Sequence, residues 1–201
     1  MKVLITATGL GKKFGDVYVI KDFNLVLYEK EIVVIMGQSG IGKSTLLNIL
    51  GKLEPYDEGE IVYDKSVFEG TGVPFPFVFQ EMDTLLPWKT VKQNISLVNP
   101  KASDDFLKEL IGNVGLTDHQ NKYPHELSGG MKQRVGIARA LICASKVLLM
   151  DEPFGSLDKE MRLKLQDFLL KIQEKYELSI IFVTHDEEEA KRIGHRILTI
   201  K

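Results

Sequence analysis

The segment GQSGIGKST (37–45) follows a β-branched run, IVVIM (32–36), and precedes a leucine-rich stretch compatible with a helix (46–53). It fits the pattern G-x-x-x-x-G-K-[ST], and the matching residues are Gly37, Gly42, Lys43 and Ser44. A strand, a glycine loop and a helix in this order form the context in which such a loop binds phosphate. The order predicts a nucleotide site, although the loop alone does not say which kind of NTPase carries it.

The chemistry of phosphate binding explains the composition of this loop. Glycine lets backbone N–H groups approach phosphate oxygens that a Cβ would obstruct. The loop ends at a helix N-terminus, which favours an anion. We expect Lys43 to reach the β- and γ-phosphates and the Ser44 hydroxyl to ligate Mg²⁺. The residues assigned to the nucleotide are Gly37, Gln38, Ser39, Gly40, Ile41, Gly42, Lys43, Ser44 and Thr45. The alternative, a glycine turn that binds nothing, is disfavoured by the flanking strand and helix.

A second element, KVLLMDEP (146–153), places two acids after a buried strand. Asp151 would lie at the carboxyl edge of the sheet, where α/β proteins bind ligands, and could hold Mg²⁺ through water. Glu152 could orient or deprotonate the attacking water. In isolation, the two acids would be interpreted as solvated residues at a strand end. The glycine loop upstream favours a catalytic role for them.

Composition limits the class of protein. The chain has 201 residues, 44% of them hydrophobic, and a formal net charge of −2, so no broad basic surface points to nucleic acid. The single cysteine, Cys143, lies in an apolar run and is expected to be a buried, inert thiol. No apolar run approaches the ~18 residues of a membrane span, and the N-terminus lacks a signal-peptide pattern. We expect a soluble protein that reaches a membrane only through a partner.

Strands alternate with helices over most of the chain, which predicts an α/β fold with a mostly parallel sheet covered on both faces. The N-terminal part reads as antiparallel strands. Segment 82–135 reads as a helical subdomain inserted into one domain that spans 1–201. The strands are expected at 3–7, 17–27, 32–36, 61–64, 77–80, 146–151, 179–184 and 196–200. The helices are expected from 46, from 90, and at 103–115, 130–144, 159–176 and 186–194.

Several local expectations accompany this assignment. Turns are expected at KKFGD (12–16) and EPYDEGE (54–60). Thr117 and Gln120 have the spacing of a capping box. In helix 159–176, the apolar spacing directs Tyr176 inward together with Leu165 and Phe168.

The segment LSGGMKQR (127–134) decides between NTPase families. Ser128 and the amides of Gly129 and Gly130 would form another phosphate binder at a helix N-terminus. A flexible turn followed by a basic helix face is the bland alternative. The segment resembles the signature of ATP-binding cassette (ABC) ATPases, and the order and spacing of the other motifs fit that family too. The whole chain resembles the nucleotide-binding subunit of an ABC transporter. The resemblance implies a P-loop NTPase core and the cofactors ATP and Mg²⁺.

The resemblance assigns further residues by position. Phe14 corresponds to the aromatic that stacks on adenine, with Tyr18 as the alternative. Gln80 corresponds to the glutamine of the Mg²⁺ and water network, and Asp158 to a loop between subunits. His185 corresponds to the histidine that contacts the γ-phosphate. Without the resemblance, these would be a packing ring, an exposed amide, a helix cap and a structural histidine.

The same resemblance implies partners. Two cassettes would dimerise head to tail, with each ATP between the loop of one and Ser128 and Gly130 of the other. The segment FQEMDTLLPWKTVKQNI (79–95) resembles the importer branch that handles nitrate, sulfonates and taurine. Trp88 would contact a transmembrane permease subunit, or else pack inside the cassette.

We therefore expect an ATP-hydrolysing importer subunit at the cytoplasmic face of the cell membrane, served by a solute-binding protein. Many family members continue past the last strand, whereas this sequence stops at Lys201, so no C-terminal regulatory domain is expected in it. The alternatives are a soluble ABC ATPase acting on DNA or ribosomes, an exporter or lipoprotein-release ATPase, and a P-loop kinase. A kinase would have no use for LSGGMKQR, for Glu152 or for His185.

Overall fold

Eight strands and six helices form the part of the chain that the computed structural model describes, which is residues 1–68, 75–79, 84–143, 145–155 and 157–200. The strands are β1 (Val3–Phe14), β2 (Val17–Tyr28), β3 (Ile32–Met36), β4 (Glu58–Tyr63), β5 (Phe77–Val78), β6 (Val147–Asp151), β7 (Ser179–Thr184) and β8 (Arg196–Thr199). The helices are α1 (Lys43–Leu50), α2 (Val91–Ser96), α3 (Asp104–Asn113), α4 (Gly129–Leu141), α5 (Lys159–Tyr176) and α6 (Glu187–Ile193).

The central sheet is parallel and has the order β5-β6-β7-β3-β8. Strands β3, β6 and β7 are apolar on both faces because each face is covered. In β3, Ile32 and Val34 join a core with the helices α3 to α6, whereas Val33 and Ile35 join a second core with α1 and the N-terminal strands. The alternation follows from the two-residue period of a strand. The predicted α/β fold, covered on both faces, is confirmed.

A smaller antiparallel sheet of order β2-β1-β4 packs on the α1 side. The predicted strand pattern is broken near residues 21–22, and the structure has a bulge there. Leu10 pairs with Phe23 and Lys12 with Ile20, so β2 holds one extra residue, and Asp22 has a φ of 47°. A bulge of this kind adds local twist, which lets the long hairpin curve over the core.

Several boundaries differ from the sequence-based expectations. The predicted turn 12–16 is wrong for 12–14, because cross-strand pairing extends β1 to Phe14 and leaves a two-residue hairpin turn. Similarly, residues 58–60 extend β4 rather than a turn. Helix α4 ends at Leu141, three residues before the predicted end at 144.

Two predictions about side chains are also wrong. Thr117 makes no capping box: it lies in a short 3-10 turn, Thr117–His119, that has no side-chain cap. The capping box forms instead at α2, between Thr90 and Gln93. Tyr176 is 37% exposed at the end of α5, where its ring lies against Phe106.

Cys143 is buried, as predicted, and burial raises the pKa of its thiol to about 11. A thiol with that pKa holds little reactive thiolate at neutral pH. Within the described residues, no helix is both long and apolar enough to cross a membrane.

Gly136 provides a test of the packing of α4. An added Cβ at this helical position meets no atom within 4 Å. We expect Gly136→Ala to raise the free energy of unfolding by about 1 kcal/mol, because alanine loses less backbone entropy in a helix. Chemical denaturation of the two proteins measures this change.

Gly59→Ala is the matched control. Gly59 has a φ of +92°, and its Cβ would lie 2.5 Å from the carbonyl oxygens of Thr8 and Gly9. This variant should lose stability. If Gly136→Ala were destabilising too, the claim that there is room for a Cβ beside α4 would be wrong.

Candidate nucleotide site

The glycine loop connects β3 to α1 at the carboxyl edge of the parallel sheet. Gly42 caps α1 with a left-handed backbone, φ 101°, and a Cβ there would lie 2.5 Å from a methyl carbon of Val19. Only glycine fits, because both the φ and the close approach of β2 exclude a side chain. This contact fixes the height of the loop above the sheet.

Lys43 is the first residue of α1, and its side chain is buried beneath the loop. The ammonium donates to the carbonyl oxygens of Gly37 at 2.9 Å and Gln38 at 3.0 Å. It also lies 3.5 Å from a carboxylate oxygen of Glu152. A cation is therefore fixed where the loop would receive phosphate oxygens.

Glu152 follows β6 and lies between two cationic or titratable partners. Its Oε1 is the oxygen near Lys43, and its Oε2 lies 2.9 Å from Nδ1 of His185. Because an ionised carboxylate only accepts hydrogen bonds, Nδ1 of His185 would carry the proton in this pair. The backbone of Glu152 is left-handed, φ 42°, and its N–H donates to the carbonyl of Val183 on β7. Such a conformation is costly for a residue with a side chain, and it directs this one into the site.

Asp151 ends β6 and is buried. Burial raises the pKa of its carboxyl group, while a hydrogen bond with Ser44 opposes the rise. Its Oδ1 atom is buried without a hydrogen-bond partner. A buried orphan carboxylate oxygen beside a serine hydroxyl matches the oxygen ligands that Mg²⁺ uses in phosphate sites.

Residues that could chelate a metal by themselves are not gathered here. Within the described ranges, no group of three or more His, Cys, Asp or Glu side chains could hold an ion. Mg²⁺ at a phosphate loop takes few protein ligands and completes its shell with substrate phosphates and water. Ser44 and Asp151 therefore fit the ion, and Mg²⁺ would bind together with the nucleotide.

The cleft above the loop has a volume of about 300 Å³ and is lined by residues that include Val19, Ser39, Lys43 and Glu152. A second depression of about 570 Å³ lies on the other side of the loop, between Ile41, His185 and Ile200. A cavity of about 580 Å³ lies at the far end of α1, and none of the predicted site residues lines it. The two clefts beside the loop are therefore where a nucleotide would bind.

The hairpin tip carries both candidates for the adenine contact. Phe14 is 53% exposed, and the nearest cation, Lys12, lies 5.3 Å from the ring centroid. The Tyr18 hydroxyl donates to Glu58 at 2.6 Å, and Lys13 lies 4.3 Å from the Tyr18 ring centroid. Tyr18 is thus already engaged by its own hairpin, which favours Phe14 as the stacking ring.

The signature residues lie at the N-terminus of α4 and do not line either cleft beside the loop. The hydroxyl of Ser128 caps α4 by accepting from the N–H of Met131 at 3.3 Å. Asp158 similarly caps α5 by accepting from Met161 at 3.0 Å. Ser128, Gly129 and Asp158 are exposed and Gly130 is half-buried, so these groups are available to a second molecule.

The structure brings together the loop, Asp151, Glu152 and His185 in one site. It does not bring Phe14, Ser128 or Asp158 to the same cleft. Gln80 lies outside the described residues, so its predicted role stays a prediction. Sequence reasoning missed Val19, which lines the cleft and packs on Gly42. It also missed the double engagement of Glu152, for which no sequence signal exists.

Known proteins similar to this chain agree with the geometry. The model of the family described as ABC transporter matches residues 20–155. The aliphatic sulfonates import ATP-binding protein SsuB 2 of Agrobacterium fabrum is 39% identical over 193 residues, covering 96% of this chain and 74% of that protein. The nitrate import ATP-binding protein NrtD of a Synechocystis species is 40% identical over 197 residues, covering 95% of this chain and 73% of that protein.

A solved structure extends the comparison to the fold. The ATP-binding cassette MJ0796, in a dimeric post-hydrolysis state bound to ADP and Pi, superposes with a TM-score of 0.85. It is 32% identical to this chain, and the match covers 98% of this chain and 94% of the other. The arrangement of sheets and helices described above is therefore that of a known nucleotide-binding cassette.

Asp151 generates a prediction about stability. Because its folded-state pKa is raised, the folded chain binds this proton more tightly than the unfolded chain. The free energy of unfolding contributed by this group falls as pH rises from the ordinary aspartate value through the raised folded value. We expect Asp151→Asn to raise the melting temperature of the nucleotide-free protein at pH 7 and to have less effect at pH 4.

The same variant should lose the extra thermal stabilisation that Mg²⁺ adds to nucleotide, because an amide cannot replace the anionic ligand. Asp16→Asn, in the exposed hairpin turn, is the control and should change neither quantity. A nucleotide-free Asp151→Asn protein that melts below the wild type at pH 7 would contradict the desolvation assigned to this carboxylate.

Proposed function

The chain belongs to the ABC transporter family, and we propose that it is the ATP-binding and ATP-hydrolysing subunit of an importer of a small solute. The observation that carries this proposal is the meeting of Lys43, Glu152 and His185 at the carboxyl edge of the sheet. An ammonium, a carboxylate and an imidazole in this order can bind a phosphate, activate water and contact the terminal phosphoryl group. Two import proteins among the relatives support the direction of transport.

Binding of ATP would begin with Lys43. Its present partners are the carbonyls of Gly37 and Gln38 and the carboxylate of Glu152. The β- and γ-phosphates offer stronger acceptors, so the ammonium would turn to them while the loop amides bind the remaining oxygens. Phe14 would stack on the adenine ring.

Hydrolysis would then depend on Glu152. Its two carboxylate oxygens face Lys43 and His185. When Lys43 binds phosphate and His185 contacts the γ-phosphate, Glu152 becomes able to accept a proton from the attacking water. Mg²⁺, held by Ser44 and through water by Asp151, would neutralise charge on the β- and γ-phosphates. We assign Gln80 to the same Mg²⁺ and water network.

One chain would supply only half of each ATP site. Ser128, Gly129 and Gly130 stand at the N-terminus of the 13-residue helix α4, where backbone amides favour an anion. We assign these groups to the ATP bound by a second ATPase subunit, and Asp158 to the contact between the two subunits. ATP would then hold the dimer together and hydrolysis would release it. The dimeric cassette MJ0796 supports this arrangement.

Membrane coupling is assigned to the turn at residues 84–90, which carries Trp88. Trp88 is 69% exposed, so the alternative in which it packs inside the cassette is wrong. The fully buried Asn94 holds this turn by accepting from Leu86 N–H and donating to the carbonyls of Leu86 and Lys89. A rigid turn with an exposed tryptophan is typical of a protein contact. We propose that it docks on a permease subunit at the cytoplasmic face of the cell membrane, with a solute-binding protein delivering the cargo.

Glu152→Gln tests the catalytic assignment. An amide cannot accept the proton, so kcat should fall by about 100-fold or more, while ATP affinity is retained. Gel filtration with MgATP should show a dimer that does not dissociate. Glu160→Gln, an exposed acid of α5, is the control and should keep both turnover and release. Turnover at the wild-type rate in Glu152→Gln would contradict the assignment of Glu152 as the base that accepts a proton from the attacking water.

Trp88→Ala tests the docking turn in the complex with permease subunits. Loss of a buried aromatic anchor costs about 2 kcal/mol or more, so solute-stimulated ATPase activity and co-purification should both fall. Basal ATPase activity of the isolated chain should not change. Leu163→Ala, an exposed apolar residue of α5, is the matched control. Unaltered stimulation in Trp88→Ala would place the permease elsewhere.

A further inference from the structure

A small polar cavity of about 50 Å³ lies behind the catalytic acid. Glu152 and His185 border it on one side, and Arg162, Asp186 and Glu189 border it on another. Arg162 and Glu189 have no place in the binding or hydrolysis steps assigned above. Their contacts nevertheless connect two segments assigned to the nucleotide site, one with His185 and one with Asp158.

Arg162, in the first turn of α5, bridges these two loops. Its Nη1 atom lies 3.1 Å from Oδ2 of Asp186, the residue that follows His185. Its Nη2 atom donates to the carbonyl oxygen of Leu157 at 3.4 Å, next to Asp158. One planar guanidinium therefore touches both the segment of the γ-phosphate histidine and the segment assigned to the second subunit.

Asp186 is well placed to transmit a constraint to His185. Its Oδ1 atom accepts from the N–H of Glu189 at 3.1 Å and so caps α6, while its own N–H donates to the Thr184 hydroxyl at 3.0 Å. Because Oδ2 is taken by Arg162, each carboxylate oxygen of Asp186 has a separate partner. The residue next to His185 is thus held by β7, α5 and α6 at once.

Folding stability alone does not account for this network. Glu189 is buried, its Oε1 accepts from Gln166 at 3.0 Å, and burial raises its pKa. Two further buried atoms of α5, Arg162 Nε and Gln166 Oε1, have no hydrogen-bond partner. The Arg162–Asp186 pair is about one-third exposed, but its neighbours Glu189 and Gln166 are buried. A buried polar group that is only partly satisfied is less stable than apolar packing of the same volume. The network fixes orientation at a cost in stability, which is a common property of supports beside an active site.

We propose that Arg162 is a positioning residue for ATP hydrolysis, which holds His185 in register through Asp186 and ties that register to the Leu157 carbonyl beside the subunit contact. The inference rests on the proposed function, because it assigns a role in that same hydrolysis. The guanidinium does not touch the nucleotide site itself, so its removal affects the chemical step rather than the binding of ATP. Movement of the Leu157 segment on dimerisation would be transmitted to His185 by the same side chain.

The test uses the full chain with MgATP and four variants. Arg162→Met keeps the length and apolar stem but removes the charge and both hydrogen bonds. Arg162→Lys keeps one point contact. Asp186→Asn keeps the helix cap, since asparagine caps as well as aspartate, but weakens the arginine pair. The fourth variant combines Arg162→Met with Asp186→Asn. The control is Lys164→Met, which breaks an exposed pair with Glu160 on the same helix.

Arg162→Met and Asp186→Asn should each lower kcat by about 10-fold, with KM and the Kd for ATP changed less than twofold. The double variant should be no slower than the slower single variant, because both changes remove one interaction. Arg162→Lys should recover part of the loss, and Lys164→Met should match the wild type. A general loss of fold would instead lower kcat in proportion to the fraction unfolded, which thermal melting measures.

A wild-type kcat in Arg162→Met, or losses that multiply to about 100-fold in the double variant, would overturn the inference. If Arg162→Met does not fold, Asp186→Asn decides by itself, since wild-type turnover in that variant also overturns it. The proposed function fails separately, when the wild-type chain shows no ATPase activity that depends on Glu152.

Discussion

Glu152 is the residue on which the rest of the site depends, because it faces Lys43 through one oxygen and His185 through the other. These three residues come from different parts of the chain, and each follows the carboxyl end of a different parallel strand. The parallel order of β6, β7 and β3 is what allows them to meet. The left-handed backbone of Glu152 then directs its side chain between them. The parallel sheet brings the three residues together, and the strained backbone of Glu152 orients its side chain toward the other two.

This pairing explains how a nucleotide could switch the site. With Lys43 and His185 as its partners, Glu152 has both carboxylate oxygens engaged. In the proposed mechanism, phosphate would compete for both partners, so substrate binding and activation of the base would become one event. Ser128 and Asp158, the exposed caps of α4 and α5, are proposed to contact the second subunit and its nucleotide in the same way. In the proposed cycle, hydrolysis waits for the partner that completes the phosphate shell.

Much of the fold and most of the site could be predicted from the sequence, for physical reasons that differ by element. The β-branched runs of β3, β6 and β7 predict buried strands of a covered parallel sheet, and a glycine loop at 37–45 directly after such a strand predicts a phosphate site. The predicted turn at 12–16 is wrong for 12–14, because cross-strand pairing outweighs the polar composition there. The Thr117 cap failed because a 3-10 turn formed without it. The contacts of Arg162 with Asp186 and of Glu152 with Lys43 and His185 join residues distant in sequence, so local patterns carry no signal for them.

The central claim, that each chain carries two complementary half-sites, can be tested by mixing two inactive variants. Lys43→Ala removes the phosphate cation, whereas Ser128→Asp keeps the helix cap but places a negative charge toward the partner's nucleotide. Each variant alone should hydrolyse no ATP, because every site in its homodimer carries a defect. A mixed dimer has one site free of both changes, so an equal mixture should recover roughly a quarter of wild-type turnover by random pairing. A mixture as inactive as its components, or wild-type turnover by Ser128→Asp alone, would contradict the account.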